Sequence, residues 1–147
     1  MYSTTDDLQS QLNKTKSIEQ LQKLQLETEK KYTAPAALDF LLLTAQKHGM
    51  DKKAFIKAII QQSCLERSYV YHLIGGEIRM KRDKLIQFAI IGGFSLEETN
   101  TLLKYGQEAQ LYARDTRDAV IIYGINQKLS LIETNSTLDE LGHEILK

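Results

Sequence analysis

An internal repeat is the feature that most limits how this chain of 147 residues can fold. Aligned without gaps at an offset of 35, residues 82–103 and residues 117–138 share ten identities. The identical pairs are Arg82/Arg117, Asp83/Asp118, Ile86/Ile121, Ile90/Ile125, Ser95/Ser130, Leu96/Leu131, Glu98/Glu133, Thr99/Thr134, Asn100/Asn135 and Leu103/Leu138. Each unit has the pattern of a helix, a tight turn and a second helix that starts at a Ser-x-x-Glu capping box. The sequence therefore predicts two helical hairpins, and the Arg-Asp pair that begins each one is predicted to be a helix-start feature, because aspartate is favoured at the positive end of the helix dipole.

The rest of the sequence also favours helix, because it contains one proline and many residues of high helix propensity. Pro35 is typical of a first helical turn, Asp51 is typical of an N-cap, and the Gly75-Gly76 and Gly92-Gly93 pairs are typical of helix ends. The predicted helices cover residues 35–48, 52–61, 65–74, 82–91, a segment from Ser95, 116–127 and 130–141. The first of them is apolar nearly all round and is predicted to lie at the centre of the core.

The predicted organisation has three parts. Residues 1–33 carry sparse apolar positions and are predicted to form an N-terminal helical arm. Residues 34–106 form the main helical domain, and residues 107–147 form a C-terminal helical hairpin packed on it. The fold class is therefore all-α.

The predicted helix 65–74 has two different faces. With Val70 at the buried centre, Glu66, Leu73 and Ile74 are predicted to lie on the inner side. The outer side is predicted to carry side chains that can contact base edges in a DNA major groove: Arg67, Ser68, Tyr69, Tyr71 and His72. This arrangement is what a helix-turn-helix requires, because the second helix of that motif has to pack on the core and still enter the groove.

Basic residues cluster around this helix although the net charge of the chain is zero. Between Lys52 and Lys84 there are eight basic residues and three acidic ones. The residues predicted to contact phosphates are Lys52, Lys53, Arg79, Lys81, Arg82 and Lys84. The electrostatic requirement for DNA binding is therefore met locally.

The segment 65–77, followed by 81–85, resembles the recognition helix and the following turn of XRE-family, lambda-repressor-like regulators. The segments 96–103, 111–118 and 129–135 resemble a variant of that family, common in Firmicutes, with an extra C-terminal helical hairpin. The resemblance implies a five-helix lambda-repressor-like domain and a bacterial transcriptional regulator. It also implies double-stranded DNA as the ligand and a homodimer that binds two half-sites.

Two other classes of function compete with this prediction. A helical interaction module could keep the helix-turn-helix fold without binding DNA and dock a protein partner on the stacked hairpins. An enzyme is not predicted, because the histidines lie in different elements and Cys64 is expected in a buried turn without a base. No cofactor or metal is expected. The short apolar runs and the polar start of the chain predict a cytoplasmic protein that does not cross a membrane.

Overall fold

The computed structural model describes Ile18, Gln20 and residues 33–147. Seven helices follow one another in the last of these ranges. They are α1 (Pro35–Lys47), α2 (Lys52–Ser63), α3 (Arg67–Ile74), α4 (Arg82–Ile91), α5 (Leu96–Tyr105), α6 (Thr116–Asn126) and α7 (Leu131–Glu140). The described part of the chain contains no strand, so the predicted all-α fold class is confirmed. Apart from Ile18, Gln20 and Thr33, the predicted arm lies outside the described residues.

Three of the helix starts have the side-chain caps that the sequence predicts. The Asp51 carboxylate accepts a hydrogen bond of 2.8 Å from the Ala54 amide at the start of α2. Ser95 and Ser130 each form a full capping box with the glutamate three residues later. These bonds satisfy amide groups that have no partner inside a helix, and they set the first residue of each element.

The turn between α2 and α3 differs from its prediction. The break was expected at residues 61–64, but α2 continues to Ser63 and the turn spans residues 64–66. Cys64 ends α2 in the left-handed region, with φ of 59°, and is exposed. The prediction of a buried Cys64 is therefore wrong, because the side chain of this residue lies on the outside of the turn. Glu66, expected on the inner side, is also exposed.

One hydrophobic core runs through all seven helices and extends to Leu146. In α1 the buried positions are Ala37, Leu38, Leu41, Thr44 and Ala45. Leu43 is 65% exposed. The apolar side chains of α1 are therefore not buried on every side of the helix, as its predicted place at the centre of the core requires. The reason is that α1 packs against α2 and α5, which cover only part of its circumference.

The two repeated hairpins, α4–α5 and α6–α7, pack reciprocally. Besides its own partner, α4 contacts α7, and α5 contacts α6. In addition, α2 packs against α4 and against α7. The first helix of each hairpin thus contacts the second helix of the other, as in a two-fold interface between copies. Head-to-tail stacking is different, because it lets a repeat continue indefinitely. The two hairpins therefore close on each other.

No helix in the described ranges is long and apolar enough to cross a membrane.

Candidate nucleic-acid interface

The candidate site is the unit formed by α2, the three-residue turn and α3. The inner face of α3 is apolar and buried, with Val70 and Leu73 fully inaccessible and Ile74 at 4% exposure. Helix α2 packs against α3 and buries Phe55, Ile56 and Ile59. Only one side of α3 is therefore used for packing.

The opposite side of α3 is open to solvent. Arg67, Ser68, Tyr71 and His72 are all exposed. The Arg67 guanidinium carbon lies 5.6 Å from the centre of the Tyr71 ring, within the range of a cation–π contact. Tyr69 is different, because it is half-buried and packs against the core. Four of the five residues predicted to face bases thus share one accessible surface.

His72 has a carboxylate partner next to this surface. Its Nδ1 atom is hydrogen-bonded to Glu77, which follows α3 in the turn before α4. Both side chains are about half exposed. The glutamate orients the ring through Nδ1. The second ring nitrogen, Nε2, is the atom that remains for another partner.

Three of the predicted phosphate-contacting residues are accessible. Lys52 and Lys53 lie in the first turn of α2, and Lys81 is the N-cap residue of α4. All three are exposed, and none forms an ion pair with the described residues. Their ammonium groups are therefore available to an anion.

Of the other three predicted phosphate-contacting residues, Arg79 and Arg82 are bonded within the fold and Lys84 is half-buried. Arg79 forms an ion pair of 2.9 Å with Glu108. Arg82 uses its guanidinium on Asp118 and on the carbonyl groups of Ala109 and Gln110. Burial lowers the pKa of Lys84, with the nearby Asp83 carboxylate opposing that effect. The phosphate role of these residues stays a prediction, but the contacts of Arg79 and Arg82 leave those two side chains fewer free donors.

The contacts of Arg82 have an equivalent in the second hairpin. Arg117 donates to Asp83 and to the carbonyl groups of Glu144 and Ile145. We call these two sets of contacts the clasps. Burial raises the pKa of Asp118, but hydrogen bonds from Arg82 and from the Tyr112 amide outweigh that effect and hold the pKa below its ordinary value. Each aspartate lies in the first turn of its helix, as predicted, and also joins one hairpin to the other.

The Arg-Asp pair that occurs in both units of the repeat is a sequence signal for the clasps. An Arg-Asp pair repeated at the same register can form two equivalent ion pairs if the units are related by a two-fold axis. Arg82 therefore has a partner within the fold that its place in the basic cluster of the sequence does not indicate.

Away from this surface, few reactive side chains of the described residues lie close together. The described residues contain no group of three histidine, cysteine, aspartate or glutamate side chains that could hold a metal ion. His48 bonds to Glu98 at 2.8 Å near the end of α1. Burial opposes ionisation of Glu98, but the Ser95 amide and His48 lower its pKa. The end of α1 is therefore tied to the start of α5.

Comparisons of the chain with protein-family models, with curated proteins and with solved structures find no match.

Proposed function

We propose that this protein is a sequence-specific DNA-binding transcriptional regulator that inserts α3 into the major groove. The observation that carries the proposal is the two-faced α3. Its apolar side is used by the core, and its polar side is accessible. Exposed lysines lie in the first turn of α2, the helix that packs against α3, and at the N-cap of α4, the helix that follows α3. A major groove about 12 Å wide admits one α-helix presented in this way.

The exposed side chains divide into two roles. Arg67 can donate two hydrogen bonds to guanine, and Ser68 and His72 can bond to either partner of a base pair. Tyr71 can pack against a thymine methyl group or bond to a phosphate. Lys52, Lys53 and Lys81 supply the phosphate contacts that fix the position of α3 on the duplex. Tyr69 is left out of these roles because it packs against the core. Arg82 is left out because it forms an ion pair with Asp118.

The charge distribution supports a small number of phosphate contacts. With no net charge, the chain has no long-range attraction for DNA, so affinity has to come from local lysines. Three contacts per copy predict a modest salt dependence, with a slope of log K against log salt of about −3 for each copy bound, which is the slope meant below. We propose that two copies bind related half-sites, as helix-turn-helix regulators do, and that the protein acts in the cytoplasm.

The proposal is tested by selecting bound fragments from a random-sequence DNA pool and then measuring affinity in a salt series. Replacing Lys52 and Lys53 by glutamine should make the slope shallower by about 2, because two phosphate contacts are lost. The matched control replaces Lys104 and Arg114, which are also exposed, by glutamine. It changes the net charge equally and should leave the slope unchanged.

Base contacts are tested separately from phosphate contacts. Arg67→Ala should cost about 1–3 kcal/mol on the selected sequence and little on unrelated DNA. An equal loss on both would mean that Arg67 contacts the backbone. Failure of the wild-type protein to enrich any sequence, even at low salt, would contradict the proposal and favour the alternative of a protein-interaction module.

A further inference from the structure

A pocket of about 480 Å³ lies where the turns of the two hairpins meet. Its lining includes three pairs of residues that are equivalent in the repeat: Ile90 and Ile125, Gly93 and Lys128, and Phe94 and Leu129. His48 at the end of α1 completes one side. The volume is within the range of small-molecule sites, and the pocket is formed by three separate helical elements.

The pocket is lined by apolar side chains together with a few polar ones. Phe94 is buried, and its ring stacks on His48 with 6.0 Å between centroids. The Nε2 atom of His48 is already bonded to Glu98. The side chains of Asn126 and Lys128 have no hydrogen bond or ion pair with the described residues, and both residues are exposed. The lining therefore offers an apolar surface together with one amide and one ammonium group that are free.

The free polar groups occur at positions where the second hairpin departs from the first. Asn126 stands where the first hairpin has Ile91, and Lys128 stands where it has Gly93. Both residues of the second pair adopt left-handed backbone, with φ of 76° for Gly93 and 56° for Lys128. That conformation is strained for a residue with a side chain, and glycine avoids the strain. The lysine is therefore placed at the pocket in a conformation that would favour glycine.

We propose that this pocket binds a small organic carboxylate with an apolar tail. The tail packs against Ile90, Phe94 and Ile125, and the carboxylate accepts hydrogen bonds from the Lys128 ammonium group and the Asn126 amide. One cation and one amide match a single carboxylate. A phosphate would leave more acceptor atoms without donors.

The test is an NMR titration of the isotope-labelled full chain with octanoate as the probe and octanol as its neutral counterpart. Octanoate should cause saturable shifts at the amides of Gly93, Asn126 and Lys128. Octanol should bind at least about tenfold more weakly, because it lacks the charged acceptor.

Two variants identify the role of the lysine. Lys128→Gly restores the residue of the first hairpin, which suits the backbone, so the variant should fold and should bind octanoate about tenfold more weakly. Lys128→Arg keeps the charge and should bind within a fewfold of wild type. The titration contains no DNA, so its result is independent of the proposed regulatory function.

Several results would overturn the proposal. They are an absence of saturable shifts in the wild-type protein, shifts centred away from the pocket, equal binding of octanol, and unchanged octanoate binding by Lys128→Gly.

Discussion

The two repeated hairpins are alike where they touch each other and different where they face the rest of the molecule. Both clasps use the same residue types and the same carbonyl positions at an offset of 35. Asn100 and Asn135 each accept a hydrogen bond of 2.8 Å from an amide 11 residues later. The polar identities in the repeat therefore include residues that cap helices, residues that join the hairpins and an asparagine that holds the segment after each hairpin, while apolar identities such as Ile86/Ile121 lie in the core.

The outer faces of the hairpins have diverged. Phe88 in the first hairpin is fully buried and makes an edge-to-face contact with Phe55 of α2, at 6.5 Å between ring centres. Its equivalent, Tyr123, is 54% exposed. Leu102 is likewise buried, while the equivalent Thr137 is only half-buried. Helices α1 and α2 cover the first hairpin, so equal positions in the repeat experience different environments.

The largest effect expected from this difference is at the Phe88 and Tyr123 positions. Phe88→Ala should lower the free energy of unfolding by about 3–5 kcal/mol, because it leaves a cavity in the core. Tyr123→Ala should cost less than about 1 kcal/mol, because the ring is largely in water. Urea unfolding of both variants measures the difference. Similar losses would mean that Tyr123 is covered in solution.

The clasps are expected to be the next most sensitive feature, with a difference between them. Asp118 is 8% exposed at its side chain and Asp83 is 27% exposed. Arg82→Met should therefore cost about 3 kcal/mol by leaving a buried carboxylate unpaired. Arg117→Met should cost about 1–2 kcal/mol, because Asp83 can be solvated in part.

The pH dependence gives an independent check on the Arg82–Asp118 clasp. The folded-state pKa of Asp118 is lowered, so its contribution to stability is present above the unfolded value of about 3.9 and is lost as the pH falls through the folded value. Hence the stability difference between wild type and Arg82→Met should shrink below about pH 4. A pH-independent difference would indicate that the loss comes from packing of the arginine stem.

The sequence was sufficient for the features that depend on neighbouring residues. Asp51, Ser95 and Ser130 predicted the helix starts because a cap bonds to an amide three residues away. The buried stripe of α3 was also predictable, because helical periodicity places Val70, Leu73 and Ile74 on one side.

Features that depend on distant residues were not predictable in the same way. Leu43 has the apolar character of a core residue, but its exposure depends on which helices cover α1. Arg82 lies in a basic cluster in the sequence, yet its partner is 36 residues away. In the candidate site, the exposed faces were therefore easier to predict than which cations remain free.

The smallest expected effect is at Gly124 and its equivalent Ala89, where the packing inside the two hairpins differs. A Cβ atom at Gly124 would lie 2.8 Å from Thr134 Oγ1, so that threonine has to move. The equivalent Thr99 hydroxyl donates to the Ser95 carbonyl at 2.8 Å, whereas the buried Thr134 hydroxyl has no partner among the described residues.

Gly124→Ala should therefore rotate Thr134 into the arrangement of Thr99, with a new bond to the Ser130 carbonyl. Together with the higher helix propensity of alanine, this should raise the free energy of unfolding by about 1 kcal/mol. Ala89→Gly is the reciprocal change and should lower it by about 2 kcal/mol, through lost propensity and a lost buried methyl group. Urea unfolding measures both. If Gly124→Ala is destabilising, Thr134 is held in place by its packing, and the two hairpins differ inside as well as on their outer faces.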